Sequence, residues 1–289
     1  MREVQRLLRL QTGFPSKLRD LPAWPAELQV QGALQQEGLG VAIVGARAAT
    51  AAGMQAAHTL AQELASAGHR IISGGALGID AAAHRGAVSA GGYTLAVMAC
   101  GLDHYYPRRN QKLFEAILQS GGAMVSPFAL GQLPVRWHFV KRNEVIAALA
   151  DVVVVVEASL ASGSLHTARF ALLHDRPLGA FGKSPGCESL LSRGVPLVRS
   201  AADVLDLASG KPRYKRSGFV PEPGTPEATI LARLCGSKGR SASWLAQSVA
   251  MPLRETLRIL HRLELASLVV LEPGQLYLRS SLAADVDSR

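Results

Sequence analysis

The stretch V41-A-I-V-G-A-R-A-A-T50 is an apolar strand that breaks at Gly45 and sets a cation, Arg47, ahead of a helix. Backbone N–H groups at a helix start suit an oxyanion, and a neighbouring guanidinium suits a phosphate. A second stretch, H138-F-V-K-R-N-E144, puts an aromatic ring, two cations and an amide on consecutive positions. That set suits a base stacked beside a backbone phosphate. Phe139 reads equally as core or as stacking platform, and Asn143 as a phosphate ligand or a loop lock. A third stretch, Ser162-Gly163-Ser164, offers two hydroxyls at another helix start. The fourth, S73-G-G-A-L-G-I-D-A-A-A-H84, is built of small residues that let a phosphate or another backbone approach closely.

Bond-making chemistry is poorly represented. Asp80 and His84 stand at i,i+4 and can share a helix face, but a carboxylate–imidazole pair more often fixes a loop than moves a proton. The serines lack the G-x-S-x-G elbow of a strained nucleophile. The first turn lacks G-x-G-x-x-G, which leaves a dinucleotide pyrophosphate little room. Thr50 reads as the N-cap of the following helix, with Gly53 allowing close packing.

These turns need strands and helices to hold them. Apolar runs predict strands at 40–45, 70–74, 93–99, 123–127, 151–157, 177–181 and 196–199. Helical periods lie between them at 53–67, 79–89, 110–120, 142–149 and 165–174. Strands that are apolar throughout, joined by helices, imply an α/β fold with a mostly parallel sheet covered on both faces. Residues 1–38 read as an extended lead-in punctuated by prolines, and 39–209 as the sheet domain. A basic linker follows at 210–224. Helices near 227–235, 241–249 and 253–263 and a hairpin turning at Pro273-Gly274 suggest a small winged-helix domain over 225–280, with a tail at 281–289.

The chain has 289 residues, 48% of them hydrophobic, and no apolar run long enough to span a membrane. A signal-peptide core is absent from M1-R-E-V-Q-R-L-L-R9, so a cytoplasmic protein is expected. Three scattered cysteines, Cys100, Cys187 and Cys235, suggest reduced thiols rather than a disulfide framework or a metal site. The net charge of +9 divides as +1 over residues 1–40, +3 over 41–210 and +5 over 211–289, led by K211-P-R-Y-K-R216. Such a balance favours contact with a polyanion.

In this order and spacing the motifs resemble the DNA-processing protein A (DprA, or Smf) family. The resemblance runs from F14-P-S-K-L-R-D-L21 through V41-A-I-V-G-A-R47, S73-G-G-A-L-G-I-D-A-A-A-H84, G91-G-Y-T-L-A-V-M-A-C-G-L-D-H-Y-Y-P107, F139-V-K-R-N143 and S162-G-S-L-H-T-A168. The tail H261-R-L-E-L-A-S-L-V-V-L-E-P-G-Q-L-Y277 is similar to the family's winged-helix end. The resemblance implies an extended Rossmann-like sheet and a non-enzymatic, cofactor-free protein. Such a protein binds single-stranded DNA as a homodimer and helps load the RecA recombinase during natural transformation. The family's N-terminal helical domain is expected to be absent.

The implied DNA contacts are Gly45, Arg47, Ser73, Gly74, Gly75, Phe139, Lys141, Arg142, Asn143, Ser162, Gly163 and Ser164. Three positions depart from the family pattern, which usually carries arginine where this chain has Leu77, Glu144 and Ala161. The region F181-G-K-S-P-G-C-E-S-L-L191 is also shortened. A nucleotide-processing protein on a related scaffold is the alternative, but the P-G-G-x-G-T-x-x-E signature of phosphoribohydrolases is not matched at A158-S-L-A-S-G-S-L-H-T167. Duplex binding by the winged helix alone is a third reading.

Overall fold

A computed structural model describes residues 3–19, 21, 24–210, 221–222, 224–234, 239–265, 268–272 and 276–279. The chain divides into two compact units, Met1–Tyr214 and Lys215–Arg289. The basic run 211–216, Cys235 and the Pro273-Gly274 turn lie outside the described residues.

In the first unit the elements follow as β1 (Val4–Leu8), α1 (Ser16–Arg19), β2 (Glu27–Gly32), β3 (Gly40–Val44), α2 (Ala51–Ser66), β4 (Arg70–Ser73) and α3 (Ile79–Ser89). Next come β5 (Thr94–Val97), α4 (Gln111–Gln119), β6 (Ala123–Ser126), α5 (Arg136–Leu149), β7 (Val152–Val155) and α6 (Ser164–Leu173). The unit closes with β8 (Leu178–Phe181), α7 (Pro185–Leu191), β9 (Leu197–Val198) and α8 (Ala201–Ser209).

One sheet of nine strands runs in the order β1-β2-β6-β5-β4-β3-β7-β8-β9. The seven strands from β6 to β9 are parallel. The chain starts this block at β3, steps outward through β4, β5 and β6, then returns to β7 on the other side of β3. The strand order therefore reverses between β3 and β7, and ligands of open α/β sheets bind at the carboxyl ends of strands flanking such a reversal.

β3 and β7 are buried at every residue, which is why they read as unbroken apolar runs. Helices α2, α3 and α8 pack Leu60, Leu64, Ile79, Val204 and Leu207 on one face. Helices α1, α5, α6 and α7 bury Leu18, Val145, Ile146, Ala168 and Leu190 on the other.

The lead-in expected over 1–38 belongs to the sheet. β2 pairs antiparallel with β6, and β1 antiparallel with β2, so the sheet is mixed at this edge. Leu28 and Val30 enter the core in the alternation of a strand. The prolines ahead of it in the sequence, Pro22 and Pro25, mask that signal. The motif F14-P-S-K-L-R-D-L21 clamps the lead-in: Phe14 and Leu18 are buried, and the Lys17 Nζ reaches Asp151 Oδ1 at 2.5 Å. Asp151 Oδ2 also accepts from Gly40 N at 2.7 Å. This clamp sits at the amino end of β3 and β7, away from the turns at their carboxyl ends.

In the second unit α9 (Pro226–Arg233), β10 (Arg240–Ser241), α10 (Ala242–Ser248), α11 (Leu253–Leu265), β11 (Val269–Glu272) and β12 (Leu276–Arg279) form three helices and a sheet ordered β10-β12-β11. Ile230, Leu245, Ile259, Leu260 and Leu263 make its core. Thr225 and Ser241 cap α9 and α10 through their hydroxyls.

Candidate nucleic-acid interface

At the β3–β7 reversal a cavity of about 610 Å³ opens, with Gly45, Arg47, Phe139, Arg142, Asn143 and Ser162–Ser164 among its lining. Eight of the twelve expected contacts thus meet in one place. A smaller cleft beside it shares Arg47, Phe139 and Arg142 and adds Gly74, Leu77 and Tyr106.

Arg47 is exposed in the turn after β3, and its guanidinium lies 4.8 Å from the centroid of the Phe139 ring. The ring restrains a cation that would otherwise sweep freely, at a gain of about 0.5–1 kcal/mol for an exposed pair. Phe139 is half-buried, and Tyr106 approaches it with ring centroids 5.7 Å apart. Tyr106 is 41% exposed, so the rim carries a second aromatic surface that the motif reading did not single out. Its signal was present at the Y105-Y106-P107 end of the stretch that begins at Gly91.

Opposite Arg47 stands the turn into α6. Ser162 Oγ and Ser164 Oγ lie 2.7 Å apart, and Gly163 between them has open space around its α-carbon. Asn143 secures this turn by donating from Nδ2 to Gly163 O at 3.0 Å, while its Oδ1 accepts from Arg142 Nε at 3.1 Å. Of the two roles open to Asn143, the structure shows the loop lock.

Arg142 is the largest departure from the expected contact set. It is 4% exposed, and its Nη1 donates to the carbonyls of Gly74 and, at 2.8 Å, Val97. Burial pulls the guanidinium down to about 10, with the Asp80 charge opposing that fall, so it stays a cation at neutral pH. Asp80 accepts from Gly74 N at 3.1 Å. Burial raises its carboxyl, against the Arg142 charge and the backbone N–H groups. Gly74 separates the two groups, and a Cβ there would overlap both the guanidinium and the carboxylate. Arg142 thus ties together the ends of β4 and β5 from its seat on α5.

The Ser73–Gly75 loop follows the same logic. Ser73 is fully buried and donates to Ile43 O at 2.6 Å, and a Cβ at Gly75 would press on Phe114. These two residues build the loop rather than the cavity wall. Lys141 also falls outside both cavities. Its Nζ stands 3.7 Å from Glu144 and 5.6 Å from the Trp24 ring centroid, on the other side of α5 from Phe139. Glu144 Oε1 also lies 3.7 Å from His174 Nε2.

Asp80 and His84 share α3 but do not bond each other. His84 Nδ1 meets Thr94 Oγ1 at 2.7 Å, and that hydroxyl donates to Ile71 O, so the imidazole carries its proton on Nδ1. Burial, and then the Arg142 and Arg85 charges, push its pKa down to about 3. Folding therefore favours the neutral ring. The stability tied to it is complete above the unfolded value near 6.5 and is lost as pH falls toward 3. We expect the urea midpoint to drop between pH 7 and pH 5, with a slope of up to about 1.4 kcal/mol per pH unit from this group. A midpoint that holds steady across that range would contradict the assignment.

Over residues 5–209 the sequence matches the profile of the family described as DNA recombination-mediator protein A. The chain belongs to that family. Among its relatives, the Smf protein of Escherichia coli K12 is 33% identical over 277 residues, covering 90% of this chain and 74% of the relative. The DNA processing protein DprA of Streptococcus pneumoniae is 39% identical over 171 residues, covering 57% of this chain and 60% of the relative. The solved DprA of S. pneumoniae superposes with a TM-score of 0.65 at 34% identity, covering 71% of this chain and 74% of that one. DprA of Helicobacter pylori, solved for its single-stranded DNA binding mode, gives 0.62 at 31% identity and covers 72% and 94%. Both superpositions place the family's Rossmann-like α/β sheet in this chain.

Proposed function

We propose that this chain binds single-stranded DNA without strong sequence preference and acts as a non-enzymatic recombination mediator. The observation that carries this reading is the cavity at the β3–β7 reversal. It combines an aromatic-backed cation, Arg47 on Phe139, with the Ser162–Ser164 hydroxyls on the facing wall. A phosphate donor set and planar surfaces for bases suit an unpaired strand, whose bases are free to stack. The single-stranded DNA mode of the H. pylori relative, at 31% identity, supports it.

The mediator role carries with it protection of incoming DNA, loading of RecA in natural transformation, a cytoplasmic location and a homodimer. Among the described residues no helix is long and apolar enough to cross a membrane. The dimer contact we assign to the sheet edge at α7 and β9, where Leu197 is 39% exposed. A strictly monomeric mass in light scattering at tens of micromolar would remove that assignment. Residues 225–280 we read as a winged helix, from the three helices and the β10-β12-β11 sheet.

The test is a gel-shift series with single- and double-stranded oligonucleotides across salt. Tighter binding to the single strand is expected, and equal or tighter binding to duplex would overturn the proposal. Leu77→Arg belongs in the same series. Leu77 is half-buried on the cleft beside Arg47, so a longer cationic side chain reaches the rim. Affinity should rise and the log–log salt slope steepen by about 0.7. An unchanged slope would show that residue 77 does not face the strand.

A further inference from the structure

The first β–α turn of such a sheet is the usual seat for a phosphate. Here the chain fills that seat itself. Glu157, two residues beyond the end of β7, reaches across the strand reversal to the N-terminus of α2. Both its carboxylate oxygens accept from Thr50 N at 3.1 Å, and Oε2 accepts from Thr50 Oγ1 at 2.7 Å. The same Thr50 oxygen accepts from Gly53 N at 3.0 Å, so one hydroxyl joins the helix cap to the carboxylate. Gly53 admits the group, because a Cβ there would overlap Oε2. Ala46 N, donating to Glu157 O at 2.7 Å, fixes the residue from its backbone. Glu157 also lines the cavity that contains Arg47 and Ser164.

We infer that Glu157 is a specificity determinant: a built-in anion that fills the α2 seat, confines an incoming phosphate to the Arg47–Ser164 side, and rejects ligands with two adjoining phosphates. The argument is one of charge spacing. A pyrophosphate holds two charged groups one shared oxygen apart, so if one sits at Arg47 the other meets the carboxylate. Repulsion between like charges rises as the dielectric of the cleft falls. A DNA strand separates its phosphates by a whole nucleotide and can place one in the cavity with its neighbours outside. The inference deepens the single-strand reading by stating which phosphate ligand the cavity takes, and only its DNA arm rests on that reading.

Wild type, Glu157→Gln and Glu157→Ala are titrated by calorimetry with inorganic pyrophosphate and with a short oligothymidylate. Thermal melting is followed at each pyrophosphate concentration. Gln keeps the shape and an acceptor for Thr50 but removes the charge. Wild type should give no pyrophosphate heat. Glu157→Gln should bind pyrophosphate in the millimolar range or tighter, and its affinity for oligothymidylate should not fall. Alanine vacates the seat, and even in a destabilised variant pyrophosphate should raise the melting temperature, because a ligand of the folded state alone stabilises it.

Pyrophosphate without effect on either variant, or bound equally well by wild type, overturns the inference. So does weaker oligothymidylate binding by Glu157→Gln. Wild type that ignores oligothymidylate while Glu157→Gln gains pyrophosphate would sink the single-strand reading and leave this one standing.

Discussion

Arg142→Ala should cost the fold about 3–5 kcal/mol, far more than loss of a surface phosphate contact would. The guanidinium is 4% exposed and holds the Gly74 and Val97 carbonyls and the Asn143 amide. Alanine leaves those acceptors buried without their donor and removes the charge that favours the Asp80 carboxylate. It also leaves a void at the junction of β4, β5 and α5. In urea the midpoint should fall steeply with the slope unchanged. Arg142→Lys should recover part of the loss, since an ammonium replaces the charge but not the planar fork. If Arg142→Ala keeps wild-type stability and loses only DNA binding, the side chain is a ligand contact and the frame described above is wrong.

Arg47→Ala should behave in the opposite way. The side chain is exposed, so truncation leaves no cavity and removes only the contact with Phe139, and stability should stay within about 1 kcal/mol of wild type. Affinity for single-stranded DNA should fall about tenfold to a hundredfold, corresponding to the roughly 1.5–3 kcal/mol of a hydrogen bond to a charged group. The salt slope should flatten by about 0.7. Arg47→Lys should restore the slope but only part of the affinity, because an ammonium does not lie flat on Phe139 as a guanidinium does. Wild-type affinity in Arg47→Ala, by gel shift or fluorescence anisotropy, would remove the proposed site.

The contrast between these two arginines marks what sequence can and cannot tell. The strands β3, β4, β6 and β7 are legible to within about two residues because burial on both faces leaves an unbroken apolar run. Thr50 is legible as a cap because its chemistry is local. The placing of Lys141 apart from the cavity turns on one boundary. With the helix placed at 142–149, Phe139 and Lys141 precede its first turn, and both can face the same way as Arg142. α5 in fact begins at Arg136. Residues 139, 142 and 143 then share a face by helical period, and 141 turns away from them.

β1 shows the other kind of miss. V4-Q-R-L-L8 has no strand alternation, and its conformation comes from pairing with β2. Glu157 was hidden for a third reason: an acid at a strand end carries no sign of the helix it will reach across the sheet.

The Arg142–Asn143 pair has a consequence for how the chain can change over time. Arg142 fixes one wall of the cavity and Asn143 the other, so neither can be exchanged to tune binding without loosening the frame. Arg47 is exposed, Leu77 half-buried and Ala161 exposed, and none of them carries part of that frame. Mutation can therefore raise or lower grip at the perimeter almost silently with respect to folding. On the single-strand reading proposed above, Leu77 and Ala161 are then positions where a cation can be gained without cost to the architecture.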